Sequence, residues 1–79
     1  MTLTLDRIKR ILHADGLYPL DGKITLATNF AEDCGGDGLD LLEVVMEMEK
    51  EFGRDFDEHA LPDLPALTVG DLVRFAERP

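Results

Sequence analysis

Apolar residues recur at helical spacing in three stretches of the chain, and between the first two that rhythm is lost. In residues 4–14, TLDRIKRILHA, the side chains of Leu5, Ile8, Ile11 and Leu12 gather on one face. Thr4 is placed to cap this helix, Asp6 falls in its first turn, and Gly16 offers a left-handed stop. Residues 38–52, GLDLLEVVMEMEKEF, carry the strongest period. At about 100° per residue, Leu41, Val44, Val45, Met48 and Phe52 share a face that should be core. Asp40, Glu43, Glu47 and Glu51 fall within about 80° of one another on a second face. Leu39 and Met46 lie together beyond that acidic stripe, Asp37 is placed to cap the helix by accepting a backbone N–H near Asp40, and Gly53 is positioned to close it. A third, shorter helix is predicted from Val69, Leu72, Val73 and Ala76, behind a Thr68/Asp71 pair with the form of a capping box.

Between Gly16 and Gly36 the pattern breaks at Pro19, Asp21-Gly22 and Asn29. Connections above about 12–15 residues are uncommon in compact domains unless they pack or function. Leu20, Ile24, Leu26 and Phe30 are therefore expected to tack this loop onto the core. The segment KITLAT has strand character but no partner of similar kind, and one strand is not a sheet. DEHAL, residues 57–61, supports one or two helical turns, and Pro62 and Pro65 forbid a longer helix. The expectation is an all-α, up-and-down bundle: three main helices plus one short helix, a long first loop, and a single domain over residues 1–79.

Composition narrows the partners. The chain has 79 residues, 44 % of them hydrophobic, with 17 acidic against 8 basic side chains and a formal net charge of −9. Such a chain repels nucleic-acid backbones and anionic lipid, and is attracted to proteins with basic patches. Arg7, Lys9 and Arg10 read as a solvated helix face rather than a nucleic-acid patch. A single cysteine makes no intramolecular disulfide and no zinc cluster, and no apolar run approaches 18 residues. These features fit a cytoplasmic protein that does not engage a membrane, and a monomer is the expectation for it. The chain contains no serine.

Candidate chemistry centres on EDCGGDGLD, residues 32–40. Read as a calcium loop starting at Asp33, it places Gly35 at position 3, Asp40 at the apolar position 8 and Val44 where a bidentate glutamate is needed. It fails at all of these. His13 and His59 are far apart and outside metal-ligand spacing, and Cys34 lies among the acids Asp33 and Asp37, which make it a poor thiolate and leave it as a small apolar filler. The glycine run lacks the lysine of a phosphate cradle. No enzyme reading survives.

NFAEDCGGDGLDLLEVVMEMEKEFG, residues 29–53, resembles the central segment of the acyl carrier proteins, and the likeness extends over nearly the whole chain. Phe30 matches an apolar anchor of the first loop, and LTVGDLVRFAE resembles the final helix. The family's Asp-Ser-Leu motif is matched by Asp37, Gly38 and Leu39. The resemblance implies that residue 38 is the attachment point for 4′-phosphopantetheine, and that Asp40, Glu43, Met46 and the added Glu47 face basic surfaces of carrier-recognising enzymes. Lys50 stands at a position often acidic in the family. Glycine has no hydroxyl, so the chain as written holds no such cofactor. Three readings stay open: a carrier-like protein acting only through protein contacts, a genuine carrier locked in its apo form by a Ser-to-Gly change, or an unrelated acidic helical binding module.

Overall fold

The computed structural model describes residues 3–78. Helix α1 spans Thr4–Ala14, α2 spans Gly38–Phe52 and α3 spans Val69–Glu77, with 3-10 turns at Glu58–Ala60 and Leu64–Ala66. The all-α expectation therefore holds, with no strand among the described residues. The short helix expected in DEHAL forms as one 3-10 turn, Glu58–Ala60, and a second turn follows at Leu64–Ala66. Pro62 lies between them and Pro65 sits inside the second, so neither can propagate.

The core is drawn from all three helices and from the first loop. Ile8, Leu12, Val44, Met48, Leu67, Val69 and Leu72 are fully buried, and α1 packs against both α2 and α3. Phe75, which the periodic reading left out, is also buried, its ring 4.9 Å from that of Phe56. Two helices are capped as their sequences suggest. In α3 the Thr68 hydroxyl accepts from the Asp71 N–H at 3.2 Å while the Asp71 carboxylate accepts from the Thr68 N–H at 2.9 Å. Burial alone would raise the Asp71 pKa, but these bonds and the Arg74 guanidinium outweigh it and hold it below its usual value. Thr4, by contrast, caps nothing. It already has helical geometry, Leu3 takes the extended cap position, and no side chain bonds that helix end. Gly16 does stop α1, with φ of 75° and its N–H bonded to the His13 carbonyl at 3.2 Å.

The long loop is fixed by a different set of residues from the one expected. Ile24 and Phe30 are buried, but Leu20 is fully exposed and Leu26 is half exposed. Leu17, Thr28 and Cys34 supply the remaining buried anchors. The reason is the backbone. The loop's end runs antiparallel to the segment before α3, with Phe30 N–H donating to the Leu67 carbonyl at 3.0 Å, Val69 N–H to that of Thr28 at 2.9 Å and Gly70 N–H to that of Leu26 at 2.8 Å. Thr28 and Phe30 are buried along this pairing, while Leu26 lies within the Thr25–Thr28 turn and stays half exposed.

Phe30 is fully buried, and a β-carbon built on Gly36 would collide with its ring. No such collision exists at Gly38, whose missing β-carbon faces open space. Gly36→Ala should therefore destabilise the fold by about 1–3 kcal/mol through overpacking. Gly38→Ala should leave it unchanged or stabilise it by roughly 0.5 kcal/mol. Urea unfolding of the two variants beside the parent checks the contrast.

Candidate functional site

The candidate site is the turn that delivers α2. Asn29 organises its approach: its side-chain oxygen accepts from the N–H groups of Ala31 and Glu32 at 2.9 and 2.8 Å, and its amide donates to the Pro65 carbonyl at 3.0 Å. Its carbonyl accepts from the Asp33 N–H at 3.0 Å, closing a compact turn through Cys34. The chain then leaves on Gly35, which has φ of 71°, a conformation that favours glycine. Gly36 donates its N–H to the Phe30 carbonyl at 3.0 Å and lies on the buried ring. Two residues later Gly38 is the first residue of α2.

Asp37 caps that helix. Its carboxylate accepts from the Asp40 N–H at 2.9 Å, and the Asp40 carboxylate accepts from the Asp37 N–H at 3.0 Å. Two N-terminal donors are thereby satisfied reciprocally, and two negative charges stand at the positive end of the helix. Asp37, Gly38 and Leu39 are all exposed, Leu39 to 73 %.

The acidic stripe proves heterogeneous. Asp40 is half-buried and committed to the cap. Glu51 bonds Arg7 of α1 at 2.7 Å, and the same guanidinium lies 4.2 Å from the Phe52 ring centre. Glu47 turns toward Asp15 at the end of α1, and the contact with that carboxyl, then burial and the charge of Glu43, push its pKa up to about 7. Glu43 alone of the four is exposed with no bond among the described residues. Beside it Leu39 and Met46 are exposed, joined by Leu42, which the sequence reading did not single out although it stands one helical turn from Met46. Lys50 is exposed on the same helix.

The other candidates play no part in this surface. Cys34 is buried, and burial first, then the Asp33 charge, raises its thiol pKa. The expected influence of Asp37 on it is not among the causes. His13 is exposed and stacks on Tyr18 at 4.9 Å, while His59 is exposed in its 3-10 turn. Among the described residues no cluster of three or more His, Cys, Asp or Glu is arranged to hold a metal.

Fold and site together define a small helical bundle whose long first loop ends in a capped turn at the head of an acidic helix. The family model described as the phosphopantetheine attachment site matches residues 5–76, and the chain belongs to that family. Its carrier domains are in general non-enzymatic and work with partner enzymes, which agrees with the acyl carrier protein resemblance. The unrelated-module reading is set aside by this match.

A phosphodiester to the arm needs a hydroxyl oxygen. Gly38 has none, the chain has no serine, and the Thr28 and Thr68 hydroxyls are engaged inside the fold with Thr25 and Asp71. Because the Asp37 cap holds the turn, Asp37→Ala should cost about 1 kcal/mol in urea unfolding. Asp37→Asn, which keeps the acceptor, should cost less than half of that.

Proposed function

We propose that this chain is a carrier-like docking protein, recognised by carrier-binding enzymes but unable to bear a phosphopantetheine arm. In this reading Gly38 stands where the family carries its attachment serine. The supporting observation is the unstrained, open position of Gly38 at the head of a capped helix, flanked by exposed Leu39, Leu42, Glu43 and Met46. The shape that presents an attachment residue is retained while its reactive atom is missing. Partners of matching chemistry are basic enzyme surfaces with an apolar recess: synthases, ligases or transferases that bind carrier domains. Exposed ion pairs contribute only about 0–1 kcal/mol each, so charge here steers the encounter and the apolar side chains hold it. The protein acts as a monomer in this role.

The same open space favours a second reading, an apo-locked form of a genuine carrier, because a serine at residue 38 needs no rearrangement of its surroundings. Both readings assign the same surface and differ in whether the parent protein shuttles acyl thioesters.

Incubation with coenzyme A and a broad-specificity phosphopantetheinyl transferase, read by intact mass, tests the assignment. The unaltered chain should gain nothing, and the Gly38→Ser variant should gain one arm. An arm on the unaltered chain contradicts the reading, and an unreactive serine variant removes the retained surface from it. For the docking face, Glu43 is the informative acid because Asp40 also caps α2 and Glu51 also holds α1. Glu43→Lys combined with Met46→Asp should weaken transferase binding on the order of tenfold at low salt and flatten its salt dependence, measured by titration calorimetry.

A further inference from the structure

Asp15 ends α1 and Glu47 sits in the middle of α2, and one carboxylate oxygen of each is buried against the other element. Neither the Asp15 Oδ2 nor the Glu47 Oε2 atom meets a hydrogen-bond donor among the described residues. Cations are near, and among the described residues none donates a hydrogen bond to either atom. Arg7 and Arg10 of α1 and Lys50 and Glu51 of α2 line the adjoining groove with Ile11, Ala14 and Glu47, and Arg7 is held by Glu51. Glu43 adds a second anion and Lys50 a compensating cation within reach of Glu47. His13, on the last turn of α1, stacks on Tyr18 rather than joining the pair. Asp15 also stands at the negative end of the α1 dipole, a poor place for two unscreened anions.

Two buried carboxylate oxygens without a donor are stable side by side only when a proton lies between them. We propose that Asp15 and Glu47 share one proton and so form a pH-sensitive latch between the end of α1 and the middle of α2. Closed, the pair is a carboxylic acid donating to a carboxylate, with a single net charge. As the pH rises the proton passes to solvent, two like charges face each other, and the junction where the first loop leaves α1 is pushed off α2. The Gly16 and Leu17 amides, bonded to the His13 and Leu12 carbonyls, lie at that junction. The latch does not depend on the docking role proposed above.

The sign follows from linkage. The folded state holds the proton up to a pH of about 7, whereas an unfolded glutamate releases it near its ordinary value of 4.5. Stability from the latch is complete below that ordinary value and is lost as the pH climbs toward and past neutrality. Urea unfolding across this range should show the unfolding constant rising by up to about tenfold per pH unit. Glu47→Gln keeps a donor to Asp15 and should remove that part of the slope, making the variant the more stable protein at pH 8. Glu32→Gln, which removes one exposed charge from the first loop, should keep the parent's slope and so corrects for general charge repulsion. Carbon-13 titration of the unaltered protein should find one of the two carboxyls changing near neutrality. The latch is overturned if both carboxyls titrate in the ordinary acidic range, or if Glu47→Gln and Glu32→Gln show the same pH dependence.

Discussion

The contact between Phe30 and Gly36 carries the architecture of the candidate site. Phe30 is fully buried and is held in register by its N–H bond to Leu67, so its position is set by the packing of α3. Gly36 closes on that ring at a distance no side chain could tolerate, which fixes the point from which Asp37 caps α2. A buried phenylalanine contributes about 3–5 kcal/mol by truncation, several times the stabilisation from the cap itself. The core thus decides where the turn sits, and the cap decides how the helix leaves it.

This division explains how glycine can occupy residue 38. None of the forces that shape the turn runs through that side-chain position: Phe30 grips Gly36, Asp37 and Asp40 satisfy the helix end, and Gly38 faces open space. A residue without a hydroxyl there leaves the presentation of Leu39, Leu42 and Met46 untouched. The acidic helix is likewise a composite. Asp40 serves the cap and Glu51 anchors α1, while Glu47 meets Asp15 across the helix interface. Glu43 is the acid most available to a partner. Helix α2 is in this sense both the structural spine of the bundle and the surface that the proposed function uses.

The helices and the family were legible because their signals are local and periodic. The Asp37 and Thr68 caps, the α2 core face and the Gly16 and Gly53 stops follow from residue type and spacing. The first loop was legible only in part. Its buried set depends on pairing with residues 67–70, a contact across some forty positions that hydrophobicity cannot register, and Leu20 and Leu26, apolar by type, stay outside it. The acidic stripe shows the same limit. Helical geometry groups four carboxylates on one face, but which of them meets α1 depends on where Arg7 and Asp15 fall in the packed bundle. Thr4 failed as a cap because one residue of register separates a capping hydroxyl from a helical one.

The proposed docking role, a recognition surface kept around a residue 38 without a hydroxyl, is isolated from chemistry by equilibrium binding. The unaltered chain and its Gly38→Ser variant, without coenzyme A, should be titrated against one phosphopantetheinyl transferase under identical salt and pH. Their dissociation constants should lie within about threefold of each other, because the residue 38 side chain supplies no part of the exposed apolar and acidic surface. Binding of the unaltered chain more than tenfold weaker than that of the serine variant would contradict it.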